Sequence, residues 1–146
     1  MGAAQASDYL ENKLIDHLFR TATFAKPAAL WIALFTAAPS DAGGGTEVTG
    51  GGYARVNLAP SDANWRPTQG GLGAASTGTG GLTANAVPVT FPAPSAAWGT
   101  VTHFALFDAP TGGNPLVWDA LITPRPIASG DPAPNFAIDA LQIAVS

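Results

Sequence analysis

The chain has 146 residues, of which 47% are apolar and only 11% are charged, and its formal net charge is −4. This length fits one domain with a substantial core, while the charge content is well below that of an average protein, so we expect part of the surface to contact partners. The basic residues are scattered, which excludes a basic patch for nucleic acid. Cysteine is absent, which excludes thiolate metal sites. The longest apolar run, residues 28–35, is too short to span a membrane.

The first predicted element is an amphipathic helix near the N-terminus. Ser7 or Asp8 can cap it, and apolar side chains then recur at a spacing of four residues along one face. This face consists of Leu10, Leu14 and Leu18. Two interpretations stay open: the helix packs on the protein's own sheet, or it docks on a neighbouring subunit, with these leucines as the partner contact.

The strongest predicted strand covers residues 29–36. It is apolar on both faces, which is typical of a central strand, and we expect Trp31 or Ile32 to be buried. Pro39 ends it, and a further strand is predicted at residues 53–58.

Two long loops are predicted, at residues 37–52 and 60–86. Both are rich in glycine, and the second contains Trp65 as its only large aromatic side chain. The glycine clusters do not predict a phosphate site, because neither is followed by Lys-Ser or Lys-Thr. A loop as long as 60–86 in a compact domain predicts a mobile segment or one that a partner orders.

The rest of the sequence predicts short strands separated by turns. Residues 85–121 predict three strands, and residues 136–145 predict one more, with a bulge near Asp139 that restores the alternation. The predicted fold is mainly β: an antiparallel β-sandwich, jelly-roll-like or Ig-like, with one N-terminal α-helix. We expect an N-terminal arm and helix at residues 1–22 and a single sandwich domain at residues 23–146.

Side chains suited to catalysis or metal binding are sparse. His17 and His103 are isolated from each other in sequence. Three aspartates fall at predicted strand ends or turns, where short acidic side chains cap backbone groups: Asp108, Asp119 and Asp131. We therefore predict no catalytic residue, no cofactor and no metal site.

The four tryptophans divide by context. Trp31 and Trp118 lie in apolar strands and are predicted to be core residues. Trp65 and Trp98 lie in a loop or at a strand start, so they are candidates for stacking on a glycan or on a partner protein.

Four segments, taken in order, carry a resemblance to a known family. They are YLENKLIDHLF at residues 9–19, ALWIALFTAAPSDAGGGTEVTGGGYARV at residues 29–56, VTFPAPSAAWGTVTHFALFDAPTGGNPLVWDAL at residues 89–121 and PIASGDPAPNFAIDALQIAV at residues 126–145. The most specific blocks are GGGYARV and WGTVTHFALFDA. In this order they resemble a family of small tailed-bacteriophage virion proteins that is commonly labelled phage tail fibre protein.

The resemblance implies a virion protein that is structural and not an enzyme. The chain has no internal repeat of the kind that builds a fibre shaft, which favours capsid decoration or cement over a shaft, with a tail-fibre or tail-tip component as the other location. The expected partners are the major capsid protein or tail proteins. We expect this protein to act as a homo-oligomer or in many copies on a lattice.

Two alternative functions remain. One is a carbohydrate-binding host-adhesion module that uses Trp65 and Trp98. The other is a hydrolase of cell-wall polymer, although the sequence contains no recognisable acid–base constellation for it.

Overall fold

A computed structural model describes residues 4–145, so residues 1–3 of the predicted arm and Ser146 lie outside it. The described part consists of β1 (Gln5–Ala6), α1 (Asp8–Phe19), β2 (Trp31–Ala37), β3 (Thr46–Glu47), β4 (Val56–Asn57), β5 (Leu82–Ala84), β6 (Val89–Thr90), β7 (Gly99–Phe107), β8 (Pro115–Ile127), β9 (Asn135–Phe136) and β10 (Gln142–Ala144). This is the predicted succession of one helix and many short strands, and it confirms a mainly β fold.

In the larger sheet, β2 is an interior strand that is paired along both of its edges. The strands of this sheet run in the order β1-β8-β7-β2, and both β3 and β4 pair with the other edge of β2, one near each end. All these pairs are antiparallel. Ile32 is fully buried, which confirms the prediction that this strand lies inside the sheet.

A second layer is built from two short ribbons, β5 with β10 and β6 with β9. Val89, Phe136 and Ile143 from this layer pack against Ile32 and Phe104 of the larger sheet. The two layers therefore enclose one hydrophobic core, as an antiparallel β-sandwich requires. Burial of this apolar surface is the main source of stability.

The opposite face of the larger sheet is also apolar. Ala33, Phe35 and Ala105 are buried there, and Phe107 and Trp118 pack against them with partial exposure. The prediction that Trp118 is a core residue is therefore only partly right. Trp31 likewise keeps some exposed surface, because the residues around it belong to loops that leave a cleft rather than to a second sheet.

The prediction of one bulged strand at residues 136–145 is wrong. The chain forms β9 and β10 with a sharp change of direction between them, where Asp139 has a φ of 65°. The cause is Asn85, which is fully buried: its amide donates to the Ala137 carbonyl at 2.8 Å and its side-chain oxygen accepts from the Leu141 N–H at 2.8 Å. One buried amide thus holds both sides of the turn and directs the two strands to different partners.

The glycine clusters have a structural role in packing. Gly51 has a φ of 56°, and a Cβ there would lie 2.8 Å from the Ala96 carbonyl oxygen and 2.9 Å from the Trp98 ring. Only glycine allows the chain to pass this close, and its carbonyl accepts a hydrogen bond from the Trp98 indole N–H at 2.9 Å.

Truncating Ile32 to alanine tests the central position of β2. We expect Ile32→Ala to lower the free energy of unfolding by about 2–4 kcal/mol, because it leaves a cavity in a closed core. Ile122→Ala is the matched control, since the Ile122 side chain is 78% exposed and its loss should cost about 0.5 kcal/mol or less. Equal effects in denaturant unfolding would contradict this assignment.

Amide hydrogen exchange tests the second loop. Residues 69–80 are exposed throughout, whereas β5 is paired with β10 and Asn85 is buried. We therefore expect fast exchange at residues 69–80 and protection that begins at β5. Protection in residues 69–80 as strong as that in β7 would show that the loop is part of the cooperative core.

Candidate functional site

The start of α1 is fixed firmly to the sandwich. Ser7 is fully buried, its hydroxyl accepts from the Leu10 N–H at 3.2 Å and donates to the Pro115 carbonyl at 2.5 Å. The Asp8 N–H donates to the Asp41 carbonyl at 2.9 Å, and Leu10 packs against the main core. The first turn of the helix therefore belongs to the domain, and Leu10 is occupied within it.

The remaining turns of α1 leave the domain surface. No residue of the helix is buried, and the exposed fraction of the apolar side chains rises towards its C-terminus: Leu14 37%, Ile15 51%, Leu18 67% and Phe19 81%. We call these four residues the α1 apolar face. Leu14 and Leu18 thus lie where the docking hypothesis needs them, and Ile15 and Phe19 extend the same surface.

The segment after the helix folds back beside it. The Phe24 N–H donates to Nδ1 of His17 at 3.1 Å, and the Phe24 ring meets the Tyr9 ring edge-on with 6.5 Å between centroids. Arg20 forms an ion pair with Asp16 one turn earlier, at 3.2 Å. These contacts hold α1 in a defined direction without covering the α1 apolar face.

The two tryptophans proposed for glycan or partner contact both pack and form hydrogen bonds within the domain. Trp98 is buried, and its indole N–H donates to Gly51. Trp65 is partly buried against the core, and its indole N–H donates to the Leu58 carbonyl at 3.3 Å. Trp65 also lines a cleft of about 480 Å³ beside Leu10 and Leu30, so only part of its ring is available.

A buried arginine, which sequence reasoning did not single out, organises the loops beside β2. The Arg55 side chain is 5% exposed and binds the Glu47 carboxylate through two hydrogen bonds of 2.8 Å. It also donates to the Ala109 and Gly112 carbonyls at 2.9 Å each and lies over the Phe107 ring, 3.8 Å from its centroid. The signal in the sequence was the position of Arg55 directly before Val56: Val56 packs against the main core, so alternation places the arginine on the opposite face.

Tyr53 joins the same network from the core side. Its hydroxyl donates to Glu47 at 2.9 Å and accepts from the Leu34 N–H at 3.0 Å. Burial is the main cause that raises the pKa of the Tyr53 phenol above its ordinary value. The phenol therefore stays protonated and keeps donating to Glu47 throughout the neutral range.

The histidines and aspartates have structural partners. His103 lies on the face opposite Phe104, as predicted, beside Thr102 Oγ1 at 2.8 Å. Asp108 accepts from the Asn114 backbone at 2.7 Å, and Asp131 accepts from the Ala128 N–H at 2.8 Å, so both cap turns as predicted. Asp119 differs, because it lies inside β8 rather than at its end.

Within residues 4–145, no cluster of three or more His, Asp or Glu side chains is arranged to hold a metal ion. The same part of the chain contains no helix with the length and apolar character needed to cross a membrane.

These features define a β-sandwich module with an anchored helix that presents an apolar face. The family model described as podophage GP4 fiber I protein gp80 matches residues 5–144, and the chain belongs to this family. No curated protein sequence matches the chain. The protein is therefore a structural component of a phage virion, where it associates with other virion proteins, and the resemblance found in the sequence is confirmed.

Replacing Arg55 tests the organising role of the buried ion pair. We expect Arg55→Met to lower the free energy of unfolding by about 3 kcal/mol, since it leaves the partly buried Glu47 carboxylate without its counter-ion. Arg20→Met, which removes an exposed ion pair, is the matched control and should cost less than about 1 kcal/mol. Similar losses for the two variants in denaturant unfolding would contradict this role.

Proposed function

We propose that the protein is a non-enzymatic module of the virion's fibre apparatus and that it attaches to another virion protein through the α1 apolar face. The proposal rests on the exposure of the four side chains of the α1 apolar face, which lie on neighbouring turns of a helix whose first turn is fixed to the domain. Contiguous exposed apolar patches of this kind mark interaction sites in soluble proteins.

The energetics of the helix support attachment at this face. Leu18 and Phe19 are mostly exposed, and each gains up to roughly 1.5–3 kcal/mol when a partner removes it from water, while Leu14 and Ile15 have less exposed surface and gain less. The direction of α1 is already set by the Ser7 and Phe24 contacts, so binding does not have to order the helix first. A partner with an apolar groove would therefore bind a prepared surface.

The family description and the fold together favour a particular place in the particle. The description of the family names a fibre protein, which favours the fibre apparatus over capsid decoration. The described residues form one sandwich without repeats, so a globular module at a fibre's base or end suits the fold better than a shaft. Capsid decoration is the competing location.

Leu18→Asp tests attachment through the α1 apolar face. Leu18 is 67% exposed, so the variant should keep the circular dichroism spectrum and melting temperature of the unaltered protein. Binding to virions that lack this protein should weaken by about tenfold or more, because one buried apolar contact is replaced by a charge. Leu72→Asp, at an exposed leucine of the second loop, is the matched control and should bind normally.

Co-sedimentation with separated particle parts tests the location. Binding to isolated tails that Leu18→Asp abolishes supports the fibre apparatus. Binding to tailless heads supports capsid decoration instead, and a folded Leu18→Asp protein that still sediments fully with particles rules out α1 as the anchor.

A further inference from the structure

A cleft of about 480 Å³ opens between the loop that follows β3 and the β7–β8 hairpin loop. Its floor is formed by Trp31 and the Arg55–Glu47 pair, and its rims by Thr49 and Thr111. None of its lining residues lies on α1, so it is separate from the α1 apolar face. Its volume is in the range of clefts that bind small ligands.

Trp31 differs from the other three tryptophans in its hydrogen bonding. The indole N–H groups of Trp65, Trp98 and Trp118 donate to protein oxygens, in the last case to Asp41 at 3.0 Å. The Trp31 indole N–H donates to no other residue within the described part of the chain. Partly buried tryptophans normally find such a partner, and Trp31 lines the cleft, so its N–H is left to bond with water or with a ligand.

The charges in this cleft are balanced internally. Arg55 and Glu47 neutralise each other, and the rim segments that line the cleft, residues 48–50 and 110–112, carry no charged side chain. Neither a phosphate nor a cation would find an unpaired counter-charge there. A neutral ligand therefore suits the cleft better than an ionic one.

The acceptors and donors around Trp31 suit a polyhydroxylated ligand. Glu47 Oε2 accepts one hydrogen bond, from Arg55, and the carboxylate keeps partial exposure on the cleft side, so it has a lone pair to offer. Threonine hydroxyls at both rims can donate or accept. An aromatic face with convergent hydroxyl-binding groups at its edge is the pattern that recognises a sugar ring.

We propose that this cleft is a binding site for a neutral saccharide, with Trp31 as the stacking platform and Glu47 as the hydroxyl acceptor. The inference does not depend on where in the virion the module attaches. It moves the glycan contact from Trp65 and Trp98, whose N–H groups are occupied, to a residue whose N–H is free.

The test uses the purified full chain on a printed array of neutral oligosaccharides that end in hexoses or N-acetylhexosamines. The array is followed by an NMR titration with the best-binding glycan. We expect the indole N–H resonance that is missing in Trp31→Phe to be the one that shifts. Trp31→Phe should weaken binding by about tenfold, since it removes the donor and part of the platform but keeps an aromatic ring in the sheet.

A second variant keeps the test informative if Trp31→Phe is unstable. Thr111 is exposed at the rim, so Thr111→Arg should fold normally and obstruct the cleft, with binding reduced by about tenfold or more. Thr77→Arg makes the same change at an exposed position that does not line this cleft, and it should bind normally.

Three results would overturn the proposal. They are the absence of binding to every neutral glycan at millimolar concentration, unchanged glycan binding by folded Thr111→Arg, and loss of particle attachment by Thr111→Arg without any glycan binding. The last result would assign the cleft to a virion protein. The Leu18→Asp experiment reports on particle attachment separately, so the two proposals can fail independently.

Discussion

The buried guanidinium of Arg55 is the interaction on which the arrangement of the loops depends. It connects Glu47 at the end of β3 with the carbonyls of Ala109 and Gly112 in the β7–β8 hairpin, while it lies over Phe107. Burying a charge is unfavourable unless it is fully paired, and here the pairing is made by segments from three parts of the chain. Each segment also has an anchor of its own, Val48 in the core beside Glu47 and the Asp108–Asn114 hydrogen bond in the hairpin, and Arg55 connects these anchored segments to one another.

This constraint also explains why the second face of the larger sheet can be apolar without a second layer over it. Arg55 and Phe107 form a stack that continues to Phe35, whose ring is parallel to that of Phe107 with 6.3 Å between centroids. The stem and planar group of arginine cover aromatic surface that a sheet would otherwise have to bury. Trp31 pairs with Phe107 across the two strands, and Trp31 and Arg55 both line the cleft beside this stack.

Local patterns in the sequence predicted the elements well and their partners poorly. The capping serine and the leucine spacing gave α1, and continuous apolarity gave the central strand, because both signals arise within a few residues. The division of residues 136–145 into β9 and β10 depends on Asn85, about fifty residues earlier, and periodicity cannot reveal it. The partial exposure of Trp31 and Trp118 depends likewise on which loops lie over them.

The candidate site also depends on contacts between residues that are far apart in the sequence. The sequence identified the apolar line of α1 and left two interpretations of it open: the structure shows packing within the domain for Leu10, while docking through Leu14 and Leu18 stays a prediction. Leu10 packs into the domain because Ser7 is bonded to Pro115, a contact across 108 positions of the chain, whereas Leu14 and Leu18 lie beyond the reach of that anchor.

A helix fixed at one end and apolar at the other has a physical consequence for assembly. The contacts at Ser7 and Asp8 fix α1 at its first turn, so a partner that binds the α1 apolar face also fixes the orientation of the whole sandwich. The low charge of the chain adds little repulsion between neighbouring copies, which suits a protein that works beside other virion proteins. Because the Trp31 cleft is lined by loops and strands but not by α1, attachment through the helix would leave the residues of that cleft free to contact a ligand.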